Sequence, residues 1–359
     1  MSENPSLSVS SLKVYEKCPE QYRRKYIERD KGIKIPKDYF ILGRLTHKIL
    51  ENKIQQDLTT EDAFALAFPI WLEEEGFNIE KTTSDMLFDY AEQYGFLLHR
   101  ASPVYLLEDK FRKKDGSLLA DAYRYPSKEL RDIYLNEDLD ITKQDLDDIF
   151  ARKYTLYQTL SLADCVARAY CFAMNFQTPD WLSETVGMEI DIGQEEKLGS
   201  EVKYFRGYID WVCRVNLEGN PLAIFDFKTG KTIPTEEEVI WDTQLNLYAL
   251  LYYTKFNEFP SYIGIYHLPT GKAIPVEVSS RVINQITEHY GKIIDSITFA
   301  GEGEFPKRFP TEYNSPCATR DWKSKAVTDI CPYLNKCWPD YYNEISDEEL
   351  IKTVEEARS

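Results

Sequence analysis

The chain has 359 residues, of which 43% are hydrophobic and 14% aromatic, enough for two domains or for one domain with a large insertion. A formal charge of −17, from 60 acidic and 43 basic residues, excludes a uniformly basic surface. No apolar run is long enough to span a bilayer, and seven cysteines, an odd number, argue against a disulfide framework and for reduced thiols or metal ligation.

The charge is unevenly spread. Residues 1–54 carry a net +5, residues 55–200 a net −15, and the tail 340–359 a net −5. A local basic surface can therefore hold phosphates while the rest of the molecule repels them; for any single charge, a solvated face is the simpler reading. The polar start, MSENPSLSVSS, lacks the basic and apolar regions of a signal peptide, so a cytoplasmic location with no membrane association is expected.

Residues 8–30 predict a short helix capped by Ser10 or Ser11, a Cys-Pro break, and a basic second helix with Pro19 in its first turn. In the second helix Arg23, Arg24, Lys25 and Arg29 interleave with Tyr22 and Tyr26. That mixture suits single-stranded nucleic acid, through stacking and phosphate contacts, and equally suits a surface helix whose tyrosines face the core. Residues 39–56 predict a helix with Leu42, Leu45, Ile49, Leu50 and Ile54 on its apolar side. Gly43 and His47, four apart, share another face. Glycine costs about 1 kcal/mol in a helix relative to alanine, which is tolerable where a backbone must approach something closely. His47 alone reads as a structural histidine.

Residues 57–185 read as an acidic, mostly helical insertion, with helices at 61–75, 84–99, 143–157 and 160–176 that shape or cover a channel. Cys165 and Cys171 fall among apolar residues and are expected in the core. A candidate strand follows at 186–193, where Glu189 reads as an exposed strand residue more readily than as a neighbour of a metal.

Residues 204–228 predict a β-hairpin around the turn Leu217–Pro221. Alternation places Tyr208, Asp210 and Val212 on one face and Ile209, Trp211, Cys213 and Val215 on the other. On the second strand Ala223, Phe225 and Phe227 share a face, with Asp226 and Lys228 opposite. Two carboxylates and an amine thus stand in an otherwise apolar hairpin, where charge is costly unless paired or bound to a metal. Thr235 and Glu238 form a capping box that starts a helix running to about Lys255, with Gln244 and Tyr248 on one face. A strand at 262–268 and a helix at 279–299 complete an α/β unit. The tetrad Thr229–Thr232 imitates a P-loop, but Phe225 stands where that motif needs its first glycine, so ATPase activity is rejected. Cys317, Cys331 and Cys337 form a ligand-like set near the end.

The ordered pieces CPEQY, GRLTH, GYID, DFKTG and QLNLY, followed by the terminal cysteines, resemble the RecB-like branch of the PD-(D/E)XK nuclease superfamily. Within it they are most similar to the iron–sulfur members, the AddB nuclease domain and the CRISPR-associated spacer-acquisition nucleases. The resemblance covers residues 8–54 and 186–338. It implies an α/β restriction-endonuclease-like core, a mixed central sheet flanked by helices, with a helical insertion. The expected divisions are 1–56 (first cluster cysteine and His motif), 57–185 (insertion), 186–300 (nuclease core), 301–339 (cysteine region) and 340–359 (acidic tail).

By the same resemblance His47, Asp210 and Asp226 bind Mg²⁺ or Mn²⁺. Lys228 positions or activates the attacking water. Gln244 and Tyr248 support the site and the substrate phosphate. Cys18, Cys317, Cys331 and Cys337 hold a 4Fe-4S cluster, although thirteen residues separate Cys317 from Cys331 where the family usually has a short gap. A four-cysteine zinc site and four reduced core thiols are the rival readings. The implied activity is a metal-dependent DNA nuclease, an exonuclease on single-stranded DNA or DNA ends, in recombination, repair or phage DNA processing, with room for a helicase or recombination partner. The competing class is an inactive DNA-binding or assembly subunit. Without the other motifs, a buried ion pair between Lys228 and an aspartate would explain the hairpin as well.

Overall fold

The computed structural model describes residues 6–33, 38–77, 80–100, 162–230, 232–300, 305–308, 317–320 and 327–339. The expected helix at 143–157, Lys231 and the acidic tail lie outside the described residues. At the centre is a five-stranded mixed sheet in the order β1-β4-β5-β6-β7. Its strands are β1 (Leu182–Asp191), β4 (Tyr208–Val215), β5 (Leu222–Lys228), β6 (Tyr262–His267) and β7 (Lys272–Glu277). Strands β5 and β6 run parallel and the other neighbours antiparallel. β5 is buried from Leu222 to Phe227, as a central strand covered on both faces should be. A small hairpin, β2 (Gln194–Leu198) and β3 (Glu201–Phe205), joins β1 to β4.

The alternation of β5 divides the core into two layers. Ala223, Phe225 and Phe227 pack with Trp211, Tyr266 and four helices: α3 (Asp38–Gln55), α4 (Thr60–Glu74), α5 (Lys81–Arg100) and α6 (Leu162–Asn175). The described helices of the acidic block therefore share one apolar cluster with the sheet. Leu222 and Ile224 face the other layer, with α1 (Val9–Lys17), α8 (Thr243–Phe256) and α9 (Ser280–Ala300). Ile209, expected on the Trp211 face, joins this second cluster with Ile192 and Phe205. It lies beyond Trp211↔Phe225, the last pair of the β4–β5 ladder, where the strands part.

Several local expectations are corrected. The cap of α1 is Ser8, in a reciprocal box with Ser11, rather than Ser10 or Ser11. The basic second helix is a single turn, α2 (Pro19–Tyr22), running into one π-helical turn, Arg23–Ile27. Tyr22 is fully buried against Tyr15 and Tyr26, so it is a core residue and offers no stacking surface. Arg23 and Arg24 both bond the buried Glu20 carboxylate, which commits them to internal ion pairs. The helix expected from Thr235 to Lys255 is two helices, α7 (Glu236–Ile240) and α8. The Thr235–Glu238 box starts the first, and Asp242 caps the second by accepting the Leu245 N–H at 2.8 Å. No helix among the described residues is long and apolar enough to cross a membrane.

Candidate active site

Where β4 and β5 part, the Asp210 carboxylate takes over from the backbone ladder. Its Oδ2 accepts the Phe227 N–H at 2.7 Å. Helix α3 lies on the other side of the sheet from α8, and its His47 reaches this opening, its ring edge-on to Phe227 at 5.8 Å. His47 Nδ1 stands 3.5 Å from Asp210 Oδ1 and 3.6 Å from Glu189 Oε1. His47, Glu189 and Asp210 each offer a ligand atom, all within 4.8 Å of one another.

Glu189 was the residue that sequence reasoning undervalued. In the β1–β4 register Met188 faces Trp211 and Ile190 faces Ile209, so Glu189 sits opposite Asp210. Its backbone is left-handed, with φ of 48°, a conformation that costs a non-glycine residue on the order of 1–2 kcal/mol. That kink interrupts the strand's alternation beside the metal-ligand group. The signal was available only through the pairing register, which a lone strand does not reveal.

Asp226 and Lys228 project from the opposite face to Phe225 and Phe227, as the alternation predicts. Lys228 Nζ lies 2.5 Å from Asp226 Oδ2, and Gln244 Nε2 donates to Asp226 Oδ1 at 2.9 Å. Asp226 Oδ2 is buried, and the Lys228 ammonium is the partner it faces. Tyr248 is hydrogen-bonded to Gln244; burial, then Asp226 and Asp210, push its phenol well above the usual range. Gly207 makes this placement possible, because a Cβ there would come within 3.0 Å of the Tyr248 ring. All six expected active-site residues line one groove of about 800 Å³, together with Glu189 and Gly43.

Around Asp210 the carboxylates of Glu189 and Asp226 face His47 and Lys228. Burial raises the Asp210 pKa, and Asp226 and Glu189 raise it further against the pull of His47. Burial alone would lower the His47 pKa, but Asp210, Glu189 and Asp226 outweigh it. Carboxylate oxygens and one imidazole are the donor set a divalent cation takes. The residues present fit such an ion. His47, Asp210 and Glu189 already converge, while Asp226 is engaged by Lys228 and Gln244.

The cysteines form a second group. Cys18 sits between α1 and α2, and Cys331 donates its N–H to the Cys317 carbonyl at 2.9 Å, at the end of the strand pair β8 (Ala318–Arg320) and β9 (Val327–Ile330). Cys337 ends the short helix α10 (Leu334–Cys337). Burial pushes the Cys331 thiol up to about 12, with Cys317, Cys337 and Cys18 all close enough to add to the shift. Cys18, Cys317 and Cys331 are buried and Cys337 is half-buried; among the described residues the group whose ligand atoms all lie within 4.8 Å of one another is His47, Glu189 and Asp210, not the cysteines. Cys165, Cys171 and Cys213 are buried in the helical layer of the core instead.

A family model for the PD-(D/E)XK nuclease superfamily matches residues 6–337. Comparison with curated proteins finds no match.

Proposed function

Because the chain belongs to the PD-(D/E)XK nuclease superfamily, we propose that it is an active deoxyribonuclease of the RecB-like type, an exonuclease on single-stranded DNA or DNA ends that uses Mg²⁺ or Mn²⁺. Membership implies a metal-dependent nuclease acting on DNA. The observation that supports an active enzyme is the meeting of His47 from α3 with Asp210 and Glu189 from adjacent strands, beside an intact Asp226–Lys228 pair. An inactive binding subunit would have no need of that set.

His47, Asp210 and Glu189, with Asp226, would hold the ion. When bound, a divalent ion lowers the pKa of a water and neutralises charge on the scissile phosphate. Lys228 presents its ammonium over the same carboxylates, where it can orient the attacking water or meet the developing negative charge. Gln244 fixes the Asp226 carboxylate from α8 and leaves its second oxygen facing Lys228. Tyr248 supplies a neutral hydroxyl to the groove wall, suited to a phosphate oxygen. Away from the groove, Cys18, Cys317, Cys331 and Cys337 are assigned to a 4Fe-4S cluster. Support for that comes from the burial of Cys18, Cys317 and Cys331, and from the resemblance that the cysteine order carries.

The test is a time course on end-labelled single- and double-stranded DNA with each metal, comparing the parent with Asp226→Ala and Lys228→Ala. Both variants should fold and lose at least about 100-fold in rate. A wild-type rate in either would defeat the assignment. Iron and acid-labile sulfide in the purified protein, with a visible absorption lost in Cys331→Ser, decide the cluster against zinc.

A further inference from the structure

Two large aromatic side chains stand exposed in the catalytic groove. Tyr208 is 56% and Phe40 53% exposed, and both line the groove that holds His47 and Asp210. Isolated exposed aromatics are common and need no explanation. These two differ in their placement relative to the site. Tyr208 is two residues before Asp210 on the same strand, so its side chain leaves the sheet on the Asp210 face. Phe40 lies seven residues before His47 on α3, two turns away on the same stripe.

Between Phe40 and His47 on that stripe is Gly43. A Cβ built there would meet nothing within 4 Å. Among the described residues no neighbour accounts for the glycine, which carries its helix penalty inside the second turn of an 18-residue helix. The space it leaves opens onto the groove between the aromatic end of the stripe and the imidazole. The cations of the same wall are spoken for in part: Arg44 pairs with Glu75, and Lys48 with Glu74 at 2.5 Å. Arg206, exposed, also lines the groove, so the two aromatic faces stand beside a cation that can meet a phosphate.

We propose that Tyr208 and Phe40 are base-stacking faces that make the groove selective for single-stranded DNA, both in the wall that holds His47 and Asp210, with Gly43 leaving room for the strand to pass. This rests on the nuclease reading above and adds the substrate form. A single strand has unstacked bases whose π-faces can leave water onto these rings, whatever the sequence. A duplex presents phosphates alone, to a wall whose cations are partly neutralised by Glu74 and Glu75.

The test separates bases from phosphates. Binding of a fluorescent single-stranded oligonucleotide is measured in Ca²⁺ against a strand of equal length and charge in which several consecutive nucleotides lack their bases. The intact strand should bind about 5- to 100-fold more tightly, the range that stacking on aromatic side chains covers. Tyr208→Ala with Phe40→Ala should erase that preference, Tyr208→Phe should keep it, and Gly43→Leu should weaken both strands. Thermal unfolding of the Tyr208 and Phe40 variants should stay close to the parent, since both side chains are exposed, and Gly43→Leu should melt slightly higher because it removes a helix glycine. Equal binding of both strands by the parent, or a preference that survives the double variant, overturns the proposal. If the parent cleaves DNA yet shows no base preference, the stacking faces fail and the nuclease reading stands; if it neither binds nor cleaves any DNA, both fail.

Discussion

Replacing Asp210 by Asn removes one negative charge from the groove but leaves an oxygen that can accept the Phe227 N–H, now 2.7 Å from Asp210 Oδ2. The ligand atoms of Asp210, Glu189 and His47 lie within 4.8 Å of one another. At that separation two carboxylates repel by about 3–4 kcal/mol at an effective dielectric of about 20, and a protonated His47 offsets a similar amount. What remains is the cost of keeping a carboxylate ionised when its side chain is only 12% exposed. Burial is the largest reason its pKa is raised. Ionised Asp210 therefore destabilises the metal-free fold, and Asp210→Asn should stabilise it by about 1–3 kcal/mol, several degrees in melting temperature. The metal reverses the order. A ligand at a hundred times its dissociation constant stabilises by about 2.7 kcal/mol, and the variant should gain far less because it has lost a ligand. Thermal and denaturant unfolding with and without Mn²⁺ reads both effects. A variant less stable than the parent without metal, or Mn²⁺ stabilising both alike, would refute the reasoning.

Glu189→Gln retains size and backbone while removing the charge opposite Asp210; calorimetry should show Mn²⁺ affinity reduced by about tenfold or more, and unchanged affinity would remove Glu189 from the ligand set. Gly207→Ala brings a methyl within 3.0 Å of the Tyr248 ring and 3.1 Å of Ile192, so about 1–3 kcal/mol of stability should be lost with a fall in turnover; full turnover would show that the placement of Tyr248 is irrelevant. Lys53 is held down at about 8 by burial, while its Nζ donates to the Ala173 carbonyl and the Thr60 hydroxyl at 2.7 and 2.9 Å. Between about pH 8 and its ordinary 10.5 the unfolded chain binds the extra proton, so stability should rise with pH in that window and the rise should vanish in Lys53→Met. A parent whose stability is flat there would contradict this.

Helix α3 and the alternation of β5 were legible because their signals are local. The apolar stripe of α3 and the alternation Ala223–Phe225–Phe227 against Asp226–Lys228 depend on one period each, and both appear in the fold. What was not legible depended on partners. The Ser8 cap rests on a reciprocal bond with Ser11 and on chain entry at Leu7, which donates its N–H to the Tyr204 carbonyl. Tyr22 reads as a binding aromatic until Tyr15 and Tyr26 enclose it. Arg23 and Arg24 read as a phosphate-binding patch until Glu20, only four residues away at most, is seen to be buried between them. Glu189 needed both the β1–β4 register and a left-handed backbone that no propensity scale anticipates.

Helix α1 ties the two chemical groups together. Ser8 and Ser10, at its start, line the catalytic groove, and Cys18 follows its last turn. Its nine residues rise about 14 Å, so one rigid element separates the cysteine group from the groove wall. Beyond Cys18 the chain is clasped by the C-terminal region: Tyr333 donates its hydroxyl to the Asp30 carbonyl at 3.0 Å, Ile33 its N–H to the Pro332 carbonyl at 2.8 Å, and Lys336 pairs with the Asp30 carboxylate at 2.5 Å. A side chain at Gly32 would collide with Pro332, its Cβ 2.6 Å from the ring. These contacts close a loop of about 300 residues, and closure entropy grows with the logarithm of loop length, so a few hydrogen bonds and one exposed ion pair hold it only weakly. A cofactor spanning Cys18 and the three C-terminal cysteines would be the strong tie there, and through α1 it would also fix one wall of the groove that holds His47 and Asp210.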